Sequence, residues 1–328
     1  MARVSRHRNP WRGRGLALAF GVVLLAVAEL GARAVGVAPA YQPEALGQWR
    51  MQANLRGRHT QGPRDGHGFT VTTNPDGLRT TLARARTAGV PRVALLGDST
   101  VFGWGVDDGG TLADGVAEGL PGVEVLNAGQ PGYSTTQAAW LLGEVVAAYQ
   151  PDLAVFFIPM HDHNTVLVSD REVLEGGGTV VARSRVLLAR HSSLYQLLRS
   201  AIFPNSDRPF LLPDQATREP RVARVSDAER SRALADASAA LAAHGGRVAI
   251  GWLPFAADIE GPRGGERPSG PWARDLAKAG SVPLVDARAC CSGPGLVLAD
   301  DPGHLSAEGN RQAGLAVAAR LRSILAGR

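Results

Sequence analysis

The chain has 328 residues, of which 45% are hydrophobic and 20% charged. That supplies apolar mass for one sizeable core and excludes a disordered chain. The formal net charge of +5 would suit a nucleic-acid binder, but Arg3, Arg6, Arg8, Arg12 and Arg14 precede the first apolar run with no acid among them, and without these five the remainder carries no net formal charge; the excess is a terminal tail, not a basic groove, and no nucleic-acid partner is expected.

The apolar run Gly15 to Ala28 is interrupted by Glu29, and Leu30 to Ala40 continues weakly apolar around Arg33. A spanning helix needs roughly 20 mostly apolar residues, so a span over 15–36 places Glu29 near the outer interface. Residues 1–14 then form a basic cytoplasmic tail, and the positive-inside rule puts the body of the protein on the periplasmic or extracellular side. A cleaved signal peptide has the same layout, with Val37-Ala-Pro-Ala40 as a small-residue cut site; the length of the basic region favours an uncleaved signal-anchor.

Residues 37–90 are polar and rich in Gly, Arg and Thr, and read as a linker and N-terminal extension; Asn74-Pro-Asp-Gly-Leu-Arg79 holds a turn signal. From 91 to 328 short apolar runs alternate with helical stretches. The runs are Arg92–Leu96, Val123–Leu126, Leu153–Ile158, Arg247–Leu253 and Val282–Val285. Helices are expected at about 110–120, 135–149, 226–244, 270–279 and 306–325. Continuous apolar strands separated by amphipathic helices predict a doubly wound α/β fold with a central five-stranded parallel sheet. Segment 160–225 breaks the alternation and reads as an insertion near the active site. Its Leu187, Leu188, Leu194, Tyr195, Leu197 and Leu198 suit an acyl pocket and plain core packing equally. Cys290 and Cys291 are neighbours, which suits neither a four-ligand zinc site nor a multi-bridge framework; they read as small, half-buried residues at a strand end.

Ligands of such folds bind beyond the carboxyl ends of the strands, and three features fall there. Gly97-Asp98-Ser99-Thr100 follows the first strand, so Ser99 sits on a strand-to-helix turn beside the free N–H groups of a helix start. Asn127-Ala-Gly-Gln-Pro-Gly132-Tyr-Ser134-Thr135 follows the second; Gly132 lets its N–H approach a substrate oxygen, and Ser134 or Thr135 can cap the next helix. Asp301-Pro-Gly-His304 precedes the last helix. Asp301 can fold back onto His304, fix its tautomer and stabilise the imidazolium formed when the serine proton arrives, with Asp300 as the adjacent competitor.

These three blocks, in this order and each at a strand's carboxyl end, resemble the SGNH/GDSL hydrolases over about residues 74–325. The resemblance implies a flavodoxin-like three-layer α/β/α sandwich. It implies Ser99 as nucleophile, His304 as base, Asp301 as its partner, and the N–H groups of Ser99 and Gly132 as an oxyanion hole. The anchored layout looks like membrane-tethered bacterial members. One block departs from the pattern. After the third strand the family usually carries an Asn whose side chain is the third oxyanion donor; aligned on Asp162, His161 stands there, and an imidazole can donate one N–H. A register slip would give the role to Asn164.

The reading is therefore a membrane-anchored serine esterase acting on acyl esters of carbohydrates, lipids or small molecules through an acyl-enzyme. It needs no metal or organic cofactor, and no partner protein is evident. An O-acyltransferase passing the acyl group to an envelope or extracellular glycan would use the same residues. A catalytically weak binding protein would keep the fold, and His161-Asp162-His163 near His304 has metal-ligand residue types with no third and fourth ligand fixed. Gly97 to Gly105 lacks the Lys-Ser/Thr of a phosphate loop.

Overall fold

The strand Arg92–Leu96 is buried at every position, and its side chains alternate between two cores: Val93 and Leu95 enter one, Ala94 and Leu96 the other. Leu153–Phe157 does the same, with Leu153, Val155 and Phe157 on the first side and Ala154 and Phe156 on the second. A period-2 strand whose two faces are both apolar needs cover on both sides, and the fold supplies it.

The structure is a computed structural model that describes residues 10–34, 41–43, 48–59, 68–157, 160–166, 169–176, 180, 184, 187–188, 191–202, 222–254, 259, 269–299 and 301–327. Among these the strands are β1 (Tyr41–Pro43), β2 (Trp49–Met51), β3 (Arg56–His59), β4 (Phe69–Thr72), β5 (Arg92–Leu96), β6 (Glu124–Asn127), β7 (Leu153–Phe157), β8 (Thr165–Val166), β9 (Val222–Ala223), β10 (Arg247–Trp252) and β11 (Leu284–Asp286). The helices are α1 (Pro10–Ala34), α2 (Ser99–Phe102), α3 (Leu112–Gly119), α4 (Thr135–Glu144), α5 (Asp170–Gly176), α6 (Ser193–Ile202), α7 (Asp227–Ala242), α8 (Ser269–Ala279) and α9 (Ala307–Ala326).

The central sheet has the order β11-β10-β7-β5-β6 with every pair parallel. Counted along the chain this is the doubly wound order 2-1-3-4-5. Apolar residues of α3 and α9 (Leu112, Val116, Val317, Leu321) cover one face. Those of α4, α7 and α8 (Leu141, Leu142, Leu234, Leu241, Leu276) cover the other. The expected three-layer sandwich is what forms. Element ends move by a residue or two: the second strand runs 124–127 and the fifth 284–286. The expected helix over 135–149 stops at Glu144 and continues as a 3-10 turn, Val146–Tyr149. Ile158, expected at the end of the third strand, lies outside the described residues.

α1 contains an apolar stretch, Gly13–Ala34, long enough to cross a membrane and almost wholly uncovered by the rest of the chain. By length and composition a signal sequence passes the same test; the helix extends five residues ahead of the expected start at 15. Residues 48–82 pack directly on the sandwich. Trp49 and Leu78 are buried in the same core as Leu96 and Tyr133. Arg79 is buried and donates to the carbonyls of Thr70, Phe102, Gly103 and Val106 as well as to Asp108. Tyr149 holds the Asn74-Pro-Asp-Gly turn: its hydroxyl accepts from Asn74 (2.7 Å) and donates to Asp76 (2.6 Å). Burial and the Asp76 carboxylate push this phenol up to about 12.

On the α4 face a buried ion pair joins elements distant in sequence. Arg230 on α7 donates to Asp162 at 2.9 Å, and both side chains are fully buried. The same carboxylate accepts the N–H and hydroxyl of Thr135 at 2.9 and 2.7 Å, at the first turn of α4. Burial pushes the Asp162 carboxyl upward, and Arg230 and Thr135 pull it back. Asp162 is thereby committed to holding the loop after β7 against α4 and α7. Both cysteines are free thiols, Cys291 buried and Cys290 half-buried.

Two stability predictions follow from this packing. Arg230→Met leaves the Asp162 carboxylate buried without its counter-charge and should lower unfolding free energy by about 3–5 kcal/mol, read from urea denaturation; an unchanged midpoint would remove this pair from the list of structural supports. At Gly129 an added Cβ would sit 2.7 Å from the Val101 carbonyl carbon and against the Phe102 backbone. Gly129→Ala should therefore cost about 1–3 kcal/mol by pushing the loop off α2, measured in the same way.

Candidate active site

The sheet order brings the site into being. The chain leaves β5 toward β6 on one side and later lays β7 on the other, so a crevice opens at the carboxyl end of β5 where the winding reverses. Ser99 follows β5 by three residues and begins α2. Asp98 caps that helix: its Oδ1 accepts the Thr100 N–H (2.9 Å) and hydroxyl (2.7 Å). Gly103 ends it in the left-handed conformation (φ 84°), donating back to the Ser99 carbonyl. The helix is one turn long, so Ser99 is held by a cap on each side of it.

His304 reaches Ser99 from the far end of the chain. Its Nε2 lies 2.8 Å from Ser99 Oγ and its Nδ1 lies 2.7 Å from Asp301 Oδ2. The carboxylate accepts Nδ1–H, which leaves Nε2 as the acceptor for the serine proton. The loop carrying both is a tight turn: the His304 N–H donates to the Asp301 carbonyl, and the Leu298 N–H donates to the His304 carbonyl. Ser306 closes the turn by capping α9 through the Gly309 N–H. Ser99 is 8% exposed, while the His304 and Asp301 side chains keep 18% and 29% of their surface. The relay is thus sheltered but reachable from solvent. Asp300, the competitor read from sequence, lies outside the described residues.

The loop from Asn127 to Ser134 forms the second wall. Gly132 has φ 75°, a left-handed backbone that side-chain-bearing residues rarely adopt. Among the described residues no protein acceptor takes the backbone N–H of Ser99 or Gly132, so both stay available to an incoming oxygen. The loop is pinned from outside by the N-terminal segment. Trp49 Nε1 donates to the Pro131 carbonyl (3.1 Å), the Met51 N–H donates to Gln130 Oε1 (2.8 Å), and Gln130 Nε2 donates to the Gly77 carbonyl (3.1 Å). The Tyr133 hydroxyl donates to the Trp49 carbonyl. Asn127 Oδ1 accepts the Gly129 N–H at 3.1 Å and shapes the turn from inside.

His161 lies on the 3-10 turn Met160–His163 after β7. Its Nδ1 faces the Asn164 amide nitrogen at 3.5 Å and its Nε2 faces Asp98 Oδ2 at 3.7 Å. An amide donor on Nδ1 puts the imidazole proton on Nε2, directed toward Asp98 and the α2 start. Burial lowers the His161 pKa, Asp98 raises it, and Arg224 lowers it again. The ring is therefore a neutral N–H donor near neutral pH. Asn164 acts on the ring from behind. Asp162, adjacent, is spent on Arg230 and Thr135, and among the described residues no three His, Cys, Asp or Glu side chains are grouped to hold a metal ion.

The structure thus brings Ser99, His304 and Asp301 into one hydrogen-bonded line and sets Gly132 and His161 on the flanking loops. Sequence reading gave no role to Asp98, Gln130 or Gln137. Gln137 completes the Ser134 capping box, accepts from Arg224 (2.6 Å) and donates to Gln48 (2.7 Å), while Arg224 pairs with Asp170 at 2.7 Å in full burial. The one available signal was the polar spacing Ser134-x-x-Gln137 ahead of an apolar helix.

The GDSL-like lipase/acylhydrolase family model matches residues 95–312. Among solved structures, the lipase/acylhydrolase from Enterococcus faecalis is 18% identical with a TM-score of 0.41, over 71% of this chain and 96% of its own. A catalytic mutant of an acetylxylan esterase from Geobacillus stearothermophilus is 14% identical with a TM-score of 0.41, over 72% and 95%. No curated protein sequence matches the chain. The match takes in all three loop blocks and more than half of the chain, and the chain belongs to the GDSL-like lipase/acylhydrolase family.

Proposed function

We propose that the protein is a membrane-anchored serine esterase that cleaves acyl esters through an acyl-enzyme on Ser99. The observation that carries the reading is the unbroken line Ser99 Oγ–His304 Nε2–Asp301, at 2.8 and 2.7 Å. A serine is a weak nucleophile unless a base takes its proton, and this base is oriented by a third group.

In the proposed reaction Ser99 Oγ attacks the ester carbonyl as its proton passes to His304 Nε2. Asp301 holds Nδ1–H and stabilises the imidazolium. The carbonyl oxygen, now anionic, is held by the N–H groups of Ser99 and Gly132 and by His161 Nε2–H, which turns from Asp98 to the oxygen. His304 then protonates the leaving alcohol as the tetrahedral species collapses. Water enters, gives its proton to His304, attacks the acyl carbon, and Ser99 leaves with the proton returned. The anchor reading rests on the exposed apolar stretch Gly13–Ala34 and its preceding arginines, with the catalytic body on the periplasmic or extracellular side. Of the two roles open to Leu187, Leu188, Leu197 and Leu198, plain core packing does not fit, because all four side chains are exposed.

Turnover of a short-chain nitrophenyl ester tests the assignments. Ser99→Ala should abolish turnover, with a loss of at least about a thousandfold, and Asp301→Asn should lower kcat by about four orders of magnitude. His161→Asn should keep or raise activity, whereas His161→Ala should lose about a hundred- to a thousandfold. Loss of activity in His161→Asn as complete as in Ser99→Ala would mean that another group fills that position. Transfer of the acyl group to an added sugar alcohol in preference to water would reassign the enzyme as an acyltransferase.

A pH prediction comes from the same loop. Burial lowers the pKa of both His161 and His163. As pH falls through the ordinary histidine value near 6.5, the unfolded chain takes up protons that the folded chain refuses, so stability is lost on acidification. Tm should fall between about pH 8 and about pH 5, and less steeply in His161→Asn; identical slopes in the two proteins would show that this ring does not contribute.

A further inference from the structure

We infer that α6, the helix of the insertion, lies in the outer surface of the lipid bilayer as a second membrane contact beside α1. The proposal rests on the reading of α1 as a membrane span.

The first observation is a joint between the two helices. Glu29 of α1 accepts the Ser192 hydroxyl (2.8 Å), the Ser193 N–H (2.9 Å) and the Leu194 N–H (3.0 Å). It caps the start of α6 across more than 160 residues of sequence, alongside the local cap in which the Ser192 hydroxyl accepts the Tyr195 N–H at 3.0 Å. Arg33 pairs with Glu29 at 2.8 Å and donates to the His191 carbonyl at 2.9 Å. A carboxylate inside an apolar run is thus occupied by the insertion together with Arg33.

The second observation is depth. From Arg14 to Arg33, α1 rises about 28 Å at 1.5 Å per residue, close to the roughly 30 Å of bilayer hydrocarbon. Arg14 and Arg33 then mark the two edges, and the Glu29–Arg33 joint lies at the outer one. α6 therefore starts beside Glu29, about 6 Å inside that edge at 1.5 Å per residue, a depth at which an interfacial helix seats its apolar face.

The third is the surface that α6 presents. Leu194, Leu197, Leu198 and Ile202 recur at the spacing of one helical face, and Leu197, Leu198 and Ile202 are exposed, Ile202 at 65%. Leu187 and Leu188, just ahead of the joint, are exposed as well. Large apolar side chains facing outward at the depth where a bilayer begins, continuous with a span that itself faces outward, fit the acyl boundary of a membrane. The occupant is lipid: a short helix so placed buries its leucines among acyl chains and leaves its other face to the headgroups.

The test uses the full chain in phosphatidylcholine–phosphatidylglycerol vesicles, with Cys290→Ser and Cys291→Ser and single nitroxide labels at Leu198→Cys, Leu24→Cys or Asp236→Cys. Asp236, exposed on α7, reports water, and Leu24 reports the span. The ratio of oxygen to nickel-chelate accessibility should be several-fold higher at 198 than at 236, in the direction of 24. A lipid-like ratio at 24 with a water-like ratio at 198 overturns the inference and leaves the anchor standing. Water-like ratios at both overturn the two together. Spin–spin broadening at 198 that vanishes on dilution with unlabelled protein would mean that a second copy covers the helix, which also overturns it.

Discussion

The hydrogen bond between Ser99 and His304 joins residues 205 positions apart, and neither can be placed by its own neighbourhood. Ser99 stands where it does because β5 is the sheet's switch strand. His304 stands where it does because α9 packs against α3 on the same side of the sheet, with Gly115 and Gly314 letting the two backbones approach closely. A parallel sheet makes this possible by sending all its strands' carboxyl ends to one rim. Chemistry is then carried by loops, while the geometry is set by a core buried on both faces.

The same logic explains the weight of ionic groups behind the site. Asp162, Arg230, Arg224 and Asp170 are all buried, and burying charge costs free energy unless each group is paired and hydrogen-bonded. They form a polar layer between α4, α7 and the loop after β7. One consequence is local: the backbone carrying His161 is held by its neighbour Asp162, so the ring has a fixed base. The N-terminal segment plays the matching part for the loop of Gly132, through Trp49, Met51 and Gly77.

Much of this was legible before any coordinates. The five strands, the two-sided core and the order of the three loop blocks follow from continuous apolar runs and from where glycine and proline interrupt them. Ser99, Asp301 and His304 could be chosen because each sits beside a strand or helix end, where side chains converge. The packing of residues 48–82 could not be read: it uses Trp49, Arg79 and a string of backbone carbonyls, and such bonds leave no periodicity. Arg79 is a buried cation answered mostly by carbonyl oxygens, which no residue pattern announces. Gln130 and Gln137 were unreadable for the same reason, since a glutamine's partners are chosen by tertiary contact. The exposed leucines of α6 were misleading in the opposite sense, because apolar residues in a globular chain are ordinarily taken for interior ones.

The clamp of Trp49 and Met51 on the Gly132 loop also sets a length scale. From Ala34, where α1 ends, to Tyr41, which pairs with Met51 of the clamp, the chain can stretch at most about 25 Å at roughly 3.6 Å per residue. With α1 in a bilayer, the reaction centre is leashed to a shallow zone above the lipid. Under the proposed function, an ester bond farther out is beyond its grasp, however well it would fit, and one displayed on a lipid or on polymer close to the surface lies within reach.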